Sequence, residues 1–463
     1  MTHIKITKGL NIPIIGHPEG SVRSLVPSGD VNPLTKPKQI ALDLNSFEDI
    51  KFKILVKAGD AVKIGQPLLE DKALPGRMFA SPAGGVIKEI RRGLKRRLLE
   101  IVIDIAETEQ HHDFGELAVE SASKEAISAR LMEGGVFPYI RSRPFDLLAN
   151  PNTPPRHIFV KAIESAPFTP PAELQVYGHE KEFQIGLTAL SKLTTGEVHL
   201  VYSTESKCKA FTEAKNVTKH TAEGPHPIGT HSVHIEVISP ITGPEDILWT
   251  LNVHDVIAIG SLLATGHYYT DRVISIAGPG VLPDRVGYFR AREGYPVETL
   301  ISGRIEKGVQ RLVSGDPLMG HRVEPQGFLG ANDYVFCVIP EGSKREFLHF
   351  FRLGLGKYSM SRAYLSGHLN NADRDYEFTT NQHGEHRAFI DATLYKDVQP
   401  LNIPTMLLVK AVMAEDFELA QTLGILDVAS EDFALATFVC PSKMEMTEIM
   451  KNGLKQYAKE ILQ

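Results

Sequence analysis

Between Lys53 and Ile105 the chain breaks into short apolar runs parted by glycine turns. Turns at roughly ten-residue intervals leave room for little but a small β barrel or sandwich. Lys53-Ile54-Leu55-Val56-Lys57 is apolar and partly β-branched, and predicts a strand. Ala58-Gly59-Asp60 ends it, with Gly59 free to take positive φ and Asp60 able to bond nearby backbone. Val62 and Ile64 resume the alternation before Gly65-Gln66-Pro67 turns the chain again. Ser81-Pro82-Ala83-Gly84-Gly85 is a third turn, Val86 to Ile90 a further strand, and Leu98 to Ile105 a nearly continuous apolar one.

The same stretch resembles the small β fold of lipoyl and biotinyl carrier domains. Glu70-Asp71-Lys72-Ala73 stands where such domains carry their swinging lysine. A lipoylated or biotinylated Lys72 would make the chain a carrier subunit; an unmodified one would make the domain a scaffold. Spacing favours the scaffold. In lipoyl domains the lysine sits at a tight hairpin tip, and the Ser-Pro-Ala turn follows sooner than it does here. Pro75-Gly76 also reshapes the loop beside Lys72.

The chain has 463 residues, and length suggests about three domains. Its 42% hydrophobic and 23% charged residues are those of an ordinary globular protein. A net charge of −6 gives no electrostatic footprint for nucleic acid. No apolar run reaches the roughly 18 to 20 residues that cross a bilayer; the best candidate, 247–265, is broken by Asn252, His254 and Asp255. Met1 to Lys5 opens without a signal-peptide core, so a cytoplasmic chain is expected unless a partner holds it at a membrane. Cys208, Cys337 and Cys440 are far apart, which supports neither a disulfide framework nor a four-thiolate cluster.

Beyond the β stretch, elements alternate. A helix is predicted over 123–133, a strand over 157–162, a helix over 183–193 and a strand over 198–202. A helix over 203–215 and a strand over 233–238 follow. A long helix is then predicted from Thr242, capped by it and favoured by Pro244, Glu245 and Asp246. A strand over 272–277 comes next, and helices over 404–412, 416–423 and 447–462. The fold class that results is α/β and multidomain. An extended segment over 1–39 precedes a barrel-sandwich hybrid over 40–106. A Rossmann-like α/β domain over 107–265, a β-grasp, SLBB-like insert over 266–340 and a C-terminal helical bundle over 341–463 complete it.

Few residues offer chemistry. No G-x-G-x-x-G turn follows a predicted strand, and in Gly278-Pro279-Gly280 the proline removes a phosphate-binding N–H. Gly354-Leu355-Gly356-Lys357 lacks the earlier P-loop glycine and the hydroxyl for Mg²⁺, and is a chance match. Of the 18 histidines, His226, His231 and His234 are densest, but a strand entry would send His231 and His234 to opposite faces. Arg91, Arg92, Lys95, Arg96 and Arg97 crowd one turn, either as a solvated hairpin or as a docking point for anions. Phe137, Tyr139, Arg141, Arg143 and Phe145 mix aromatic faces with guanidinium donors. That mixture suits a carbonyl-bearing ring or a protein partner, or else a loop anchored by core aromatics.

One resemblance spans the chain. Ile6-Thr7-Lys8-Gly9-Leu10-Asn11-Ile12-Pro13-Ile14-Ile15-Gly16, the Glu70-Asp71-Lys72 stretch, Arg141-Ser142-Arg143-Pro144-Phe145, Gly224-Pro225-His226-Pro227, Ile339-Pro340-Glu341-Gly342 and Phe438-Val439-Cys440-Pro441 occur in order. Together they resemble the NqrA family, which supplies one subunit of the Na⁺-translocating NADH:quinone reductases. The resemblance implies a peripheral subunit on the cytoplasmic face of a bacterial inner membrane. It would be held there by five other subunits, directly by a membrane subunit. The complex oxidises NADH, reduces ubiquinone and exports Na⁺. The family is distantly related to the flavin-bearing subunit of respiratory complex I, with flavin and cluster lost. The resemblance therefore implies no catalytic, metal or cofactor-binding residue on this chain. Flavins and an iron–sulfur centre would lie on other subunits, and the quinone site nearby, with Phe137, Tyr139, Arg141, Arg143 and Phe145 as candidate quinone or partner contacts. A free-standing soluble NADH dehydrogenase is disfavoured by the missing phosphate loop.

Overall fold

The computed structural model describes residues 1–19, 23–24, 36–343, 347–348, 351–369 and 374–462. The glycine-punctuated stretch folds into two small antiparallel sheets. One orders Gln39–Asp43, Leu98–Ile105, Gly85–Arg92 and Ala61–Val62; the other orders Phe52–Ile54, Pro67–Asp71 and Met78–Ala80. Side chains that alternate inward, among them Ile40, Leu42, Leu69, Phe79, Ile87, Ile101 and Ile103, fill the space between them. This is the barrel-sandwich hybrid expected from the turns.

The α/β part is built on seven strands. Their order is His3–Lys5, Thr218–Glu223, Val198–Ser203, His157–Ala162, Leu248–Asn252, Arg141–Arg143 and Leu147–Leu148. The first five are parallel and the last two close the edge as an antiparallel hairpin. The opening segment, read as extended, thus supplies an edge strand to this sheet. Alternation along Val198–Ser203 divides the cores: Leu200 and Tyr202 face the helices Glu180–Leu193 and Val253–Thr265, whereas Val201 faces the C-terminal helices.

Three sequence readings are corrected. Residues 233–238 are not a strand but most of the helix His231–Ile238. Their Val/Ile run favours strand locally, but the burial of Ser232, Val233, His234 and Ile235 on one side decides for helix. The helix expected from Thr242 is instead a turn, with Thr242 bonded to Asp246, followed by the buried strand Leu248–Asn252. That strand passes without a loop into Val253–Thr265, where Asn252 and Asp255 form a capping box. A continuous apolar run does not distinguish buried strand from buried helix. Over 203–215 only Lys209–Thr212 is helical.

A six-stranded sheet follows, ordered His321–Arg322, Gln310–Ser314, Val335–Pro340, Asp271–Ala277, Gly287–Arg292 and Arg23–Ser24. The helices Thr405–Met413, Phe417–Thr422, Ala434–Val439 and Met446–Ile461 then pack over the second face of the α/β sheet.

Candidate functional site

The aromatic and arginine segment is split by the sheet it enters. Phe137 is fully buried, edge-on to Trp249 with ring centroids 5.7 Å apart. The Tyr139 hydroxyl lies 2.7 Å from that of Tyr268, and both donate to Glu293, at 3.2 and 2.9 Å. Arg143 points the other way, buried, with Nη1 donating to Ser232 Oγ at 2.8 Å. Phe145 packs edge-on against Tyr457 of the terminal helix at 5.7 Å. Arg141 is half-buried and holds the Asp146 carboxylate at 3.2 Å. The five do not converge on one surface. Only Arg141 and Phe145 border a common cavity, of about 290 Å³, shared with Glu48, Asp146, Ser430 and Lys451.

Around Arg143 lies a band of buried charge joining the α/β sheet to the C-terminal helices. Lys161 Nζ is 3.1 Å from Glu164. Burial lowers the Lys161 ammonium's proton affinity, but Glu164 and Glu431 outweigh it and hold the group charged. Burial pushes the Asp255 and Glu431 carboxyls up to about 7, and that of Asp432 upward against the opposing charge of Arg143. Arg143 Nε and Nη2 and Asp432 Oδ1 have no hydrogen-bond partner, although all are buried.

Open parallel sheets bind ligands in the crevice beyond their strands' carboxyl ends. Here that crevice has about 870 Å³, bordered by the ends of His157–Ala162, Val198–Ser203 and Thr218–Glu223. Its charged lining is Glu164, Glu173, Glu205, Glu223 and Asp375, with no lysine or arginine among the described residues. Such a wall repels phosphate. The turn after His157–Ala162 runs Ile163 to Phe168 without glycine, and the helix beyond it, Ala172–Val176, has only five residues.

Lys72 is exposed at the end of the strand Pro67–Asp71, and its backbone N–H donates to Lys51 at 2.9 Å. The loop beyond it is pinned by Asp71, which accepts the Ala73 N–H at 2.8 Å, and by Glu70, which accepts that of Gly76 at 3.1 Å. Lys72 therefore stands beside the loop's base, away from its tip. In the basic turn, Arg91 is bonded to Glu89 and Glu100, at 2.9 and 2.8 Å, and Arg97 to Glu48 at 3.3 Å.

The histidines regroup. His231 and His234 share a helix, but their rings donate to different carbonyls, Leu251 at 3.1 Å and Ile228 at 2.7 Å. His226 lies instead 2.9 Å from Ser165. A contact the sequence reading missed joins His199 and His220, 3.1 Å apart on adjacent strands, with His157 stacked beside them. Burial pulls the His199 imidazole down to about 4. Only strand register, invisible in linear spacing, brings these rings together. Cys337 and Cys440 are buried, Cys208 is half-buried, and all are free thiols.

Comparison with known proteins agrees with this architecture. The family described as the NqrA N-terminal barrel-sandwich hybrid domain matches residues 4–106, the NqrA second alpha/beta domain residues 122–268 and the NQRA C-terminal domain residues 273–324. Relatives named as the NqrA subunit of the Na⁺-translocating NADH-quinone reductase match nearly end to end. The Chlamydia caviae protein is 36% identical, over 99% of this chain and 97% of its own. Those of Histophilus somni and Vibrio parahaemolyticus are each 35% identical, over 99% of this chain and 100% of theirs. With the barrel-sandwich hybrid, the parallel sheet, the SLBB-like sheet and the helical end in the same order, this chain belongs to the NqrA family of Na⁺-translocating NADH-quinone reductase subunits.

Proposed function

We propose that the chain is the peripheral subunit of a membrane complex that oxidises NADH, reduces ubiquinone and exports Na⁺, and that it carries no redox cofactor of its own. The end-to-end likeness to the NqrA relatives carries this reading. Among the described residues no helix is long and apolar enough to cross a membrane, so attachment falls to companion subunits on the cytoplasmic face. The carboxylate-lined crevice supports the absence of a nucleotide or flavin phosphate, and three scattered thiols, two of them buried, support the absence of a cluster. Flavins and the iron–sulfur centre then sit on the other subunits, and ubiquinone reacts close by. The quinone-facing role read for Phe137, Tyr139, Arg141, Arg143 and Phe145 narrows to Arg141 and Phe145, which border a cavity.

Membranes lacking this chain are expected to lose Na⁺-stimulated NADH:ubiquinone reductase activity and to regain it on addition of the purified, colourless chain. Undiminished activity without the chain, or a flavin spectrum bound to it, would overturn the proposal.

A further inference from the structure

An aromatic groove opens between the SLBB-like sheet and the C-terminal helices, with a volume of about 490 Å³. Its floor is a three-ring cluster of Tyr358, Phe378 and Phe438, with centroids 5.8 to 5.9 Å apart. Tyr364 forms one wall, locked from behind by Gly354, where a Cβ would lie 2.4 Å from the ring. The backbone of Leu365 donates to Leu353 at 2.9 Å, so the segment around Gly354 is fixed to that wall. This segment forms an apolar lip: Phe351 is 83% exposed, Leu353 66% and Leu355 50%. Neighbouring large apolar side chains at such exposure mark an interaction surface, unlike single scattered ones.

Charge identifies the kind of partner. From Phe347 to Ala372 the sequence has no Asp or Glu but holds Arg352, Lys357 and Arg362, in a chain whose net charge is −6. A cationic, apolar lip complements an apolar segment that carries carboxylates. Shape separates protein from lipid. The rings are recessed in a concave groove that a protruding chain segment can enter and a bilayer surface cannot.

We infer that this groove and lip receive an apolar segment bearing acidic side chains from a membrane-embedded companion subunit. The inference rests on the subunit reading above and adds the surface through which attachment occurs.

The test uses the assembled complex, purified from membranes, with a benzophenone amino acid at Phe351 or Leu353 and at the exposed Tyr177 as control. The expected result is an adduct with an integral-membrane subunit, mapped to an apolar stretch containing Asp or Glu. An adduct with lipid or with a second copy of this chain, or none above the Tyr177 control, would overturn the inference. In a second arm, the double variant Phe351→Asp, Leu353→Asp alters only exposed side chains and should leave the melting temperature of the isolated chain unchanged. Its retention in the complex is expected to fall roughly tenfold or more; full retention would contradict the inference. Failure of the unaltered chain to copurify with any membrane subunit would instead sink the subunit reading itself.

Discussion

Asp255 sits in the first turn of Val253–Thr265, accepts the Asn252 N–H at 2.8 Å and is 5% exposed. Burial raises its carboxyl to about 7. In the unfolded chain it ionises near its ordinary value of about 3.9. Between those values the folded state binds the extra proton, so stability from this residue is full at low pH and is lost as pH rises through 7. Asp255→Asn keeps an acceptor for Asn252 but cannot ionise. Its urea midpoint should fall less than that of the parent chain between pH ~5 and ~7, where each unit of pH weighs up to about 1.4 kcal/mol; equal falls would refute the assignment. Lys72 belongs to the same scale. Set at the loop's base, it is expected to be unmodified, with an intact mass equal to the bare sequence; a lipoyl or biotinyl increment would restore the carrier reading. Neither behaviour follows from residue type alone, since an aspartate three places into a helix is ordinarily a solvated capping group.

At the scale of elements, Glu180–Leu193 and Val253–Thr265 meet through two glycines. A Cβ at Gly260 would lie 1.7 Å from the Glu182 carbonyl oxygen, and one at Gly186 2.2 Å from that of Val256. Gly260→Ala would gain about 1 kcal/mol in helix propensity at an unconstrained site. Here the backbone contact must open, and overpacking of this kind costs about 1–3 kcal/mol. The variant should therefore unfold at lower urea than the parent chain, and a gain in stability would show the helices free to separate. The sequence displays both glycines inside apolar runs without saying that they face each other. The same limit explains the misread stretches: 233–238 and 242–252 are apolar enough for either element, and the sheet's order decides. Gly354, which invited comparison with a P-loop, instead makes room for the Tyr364 ring.

Across the whole molecule, Glu48 of the barrel domain meets Lys451 at 2.8 Å and also pairs with Lys455, both on the terminal helix. Burial opposes ionisation of Glu48, but the two ammonium groups prevail and hold its carboxyl at about 2. Its contribution is therefore present above the ordinary glutamate range near 4.3 and is lost as pH falls toward 2. Glu48→Gln should lower stability by about 1 kcal/mol at neutral pH, less in high salt, as for a partly exposed ion-pair network. No change on thermal denaturation would mean that the barrel domain and the terminal helix are held by packing alone. Partners some 400 positions apart cannot be paired by inspection of a sequence, whereas the barrel's own turns can be, because each is local. The sequence by itself determined the barrel-sandwich hybrid, the alternation of an α/β part, the helical end and the family, since these rest on short-range turn chemistry, periodicity and ordered motifs. Only the tertiary structure decided that the opening segment pairs as an edge strand, that Phe137, Tyr139 and Arg143 point into separate cores, and that carboxylates line the crevice. Those outcomes depend on strand order and on which face each side chain is turned to, and both are set by contacts between residues distant in the chain.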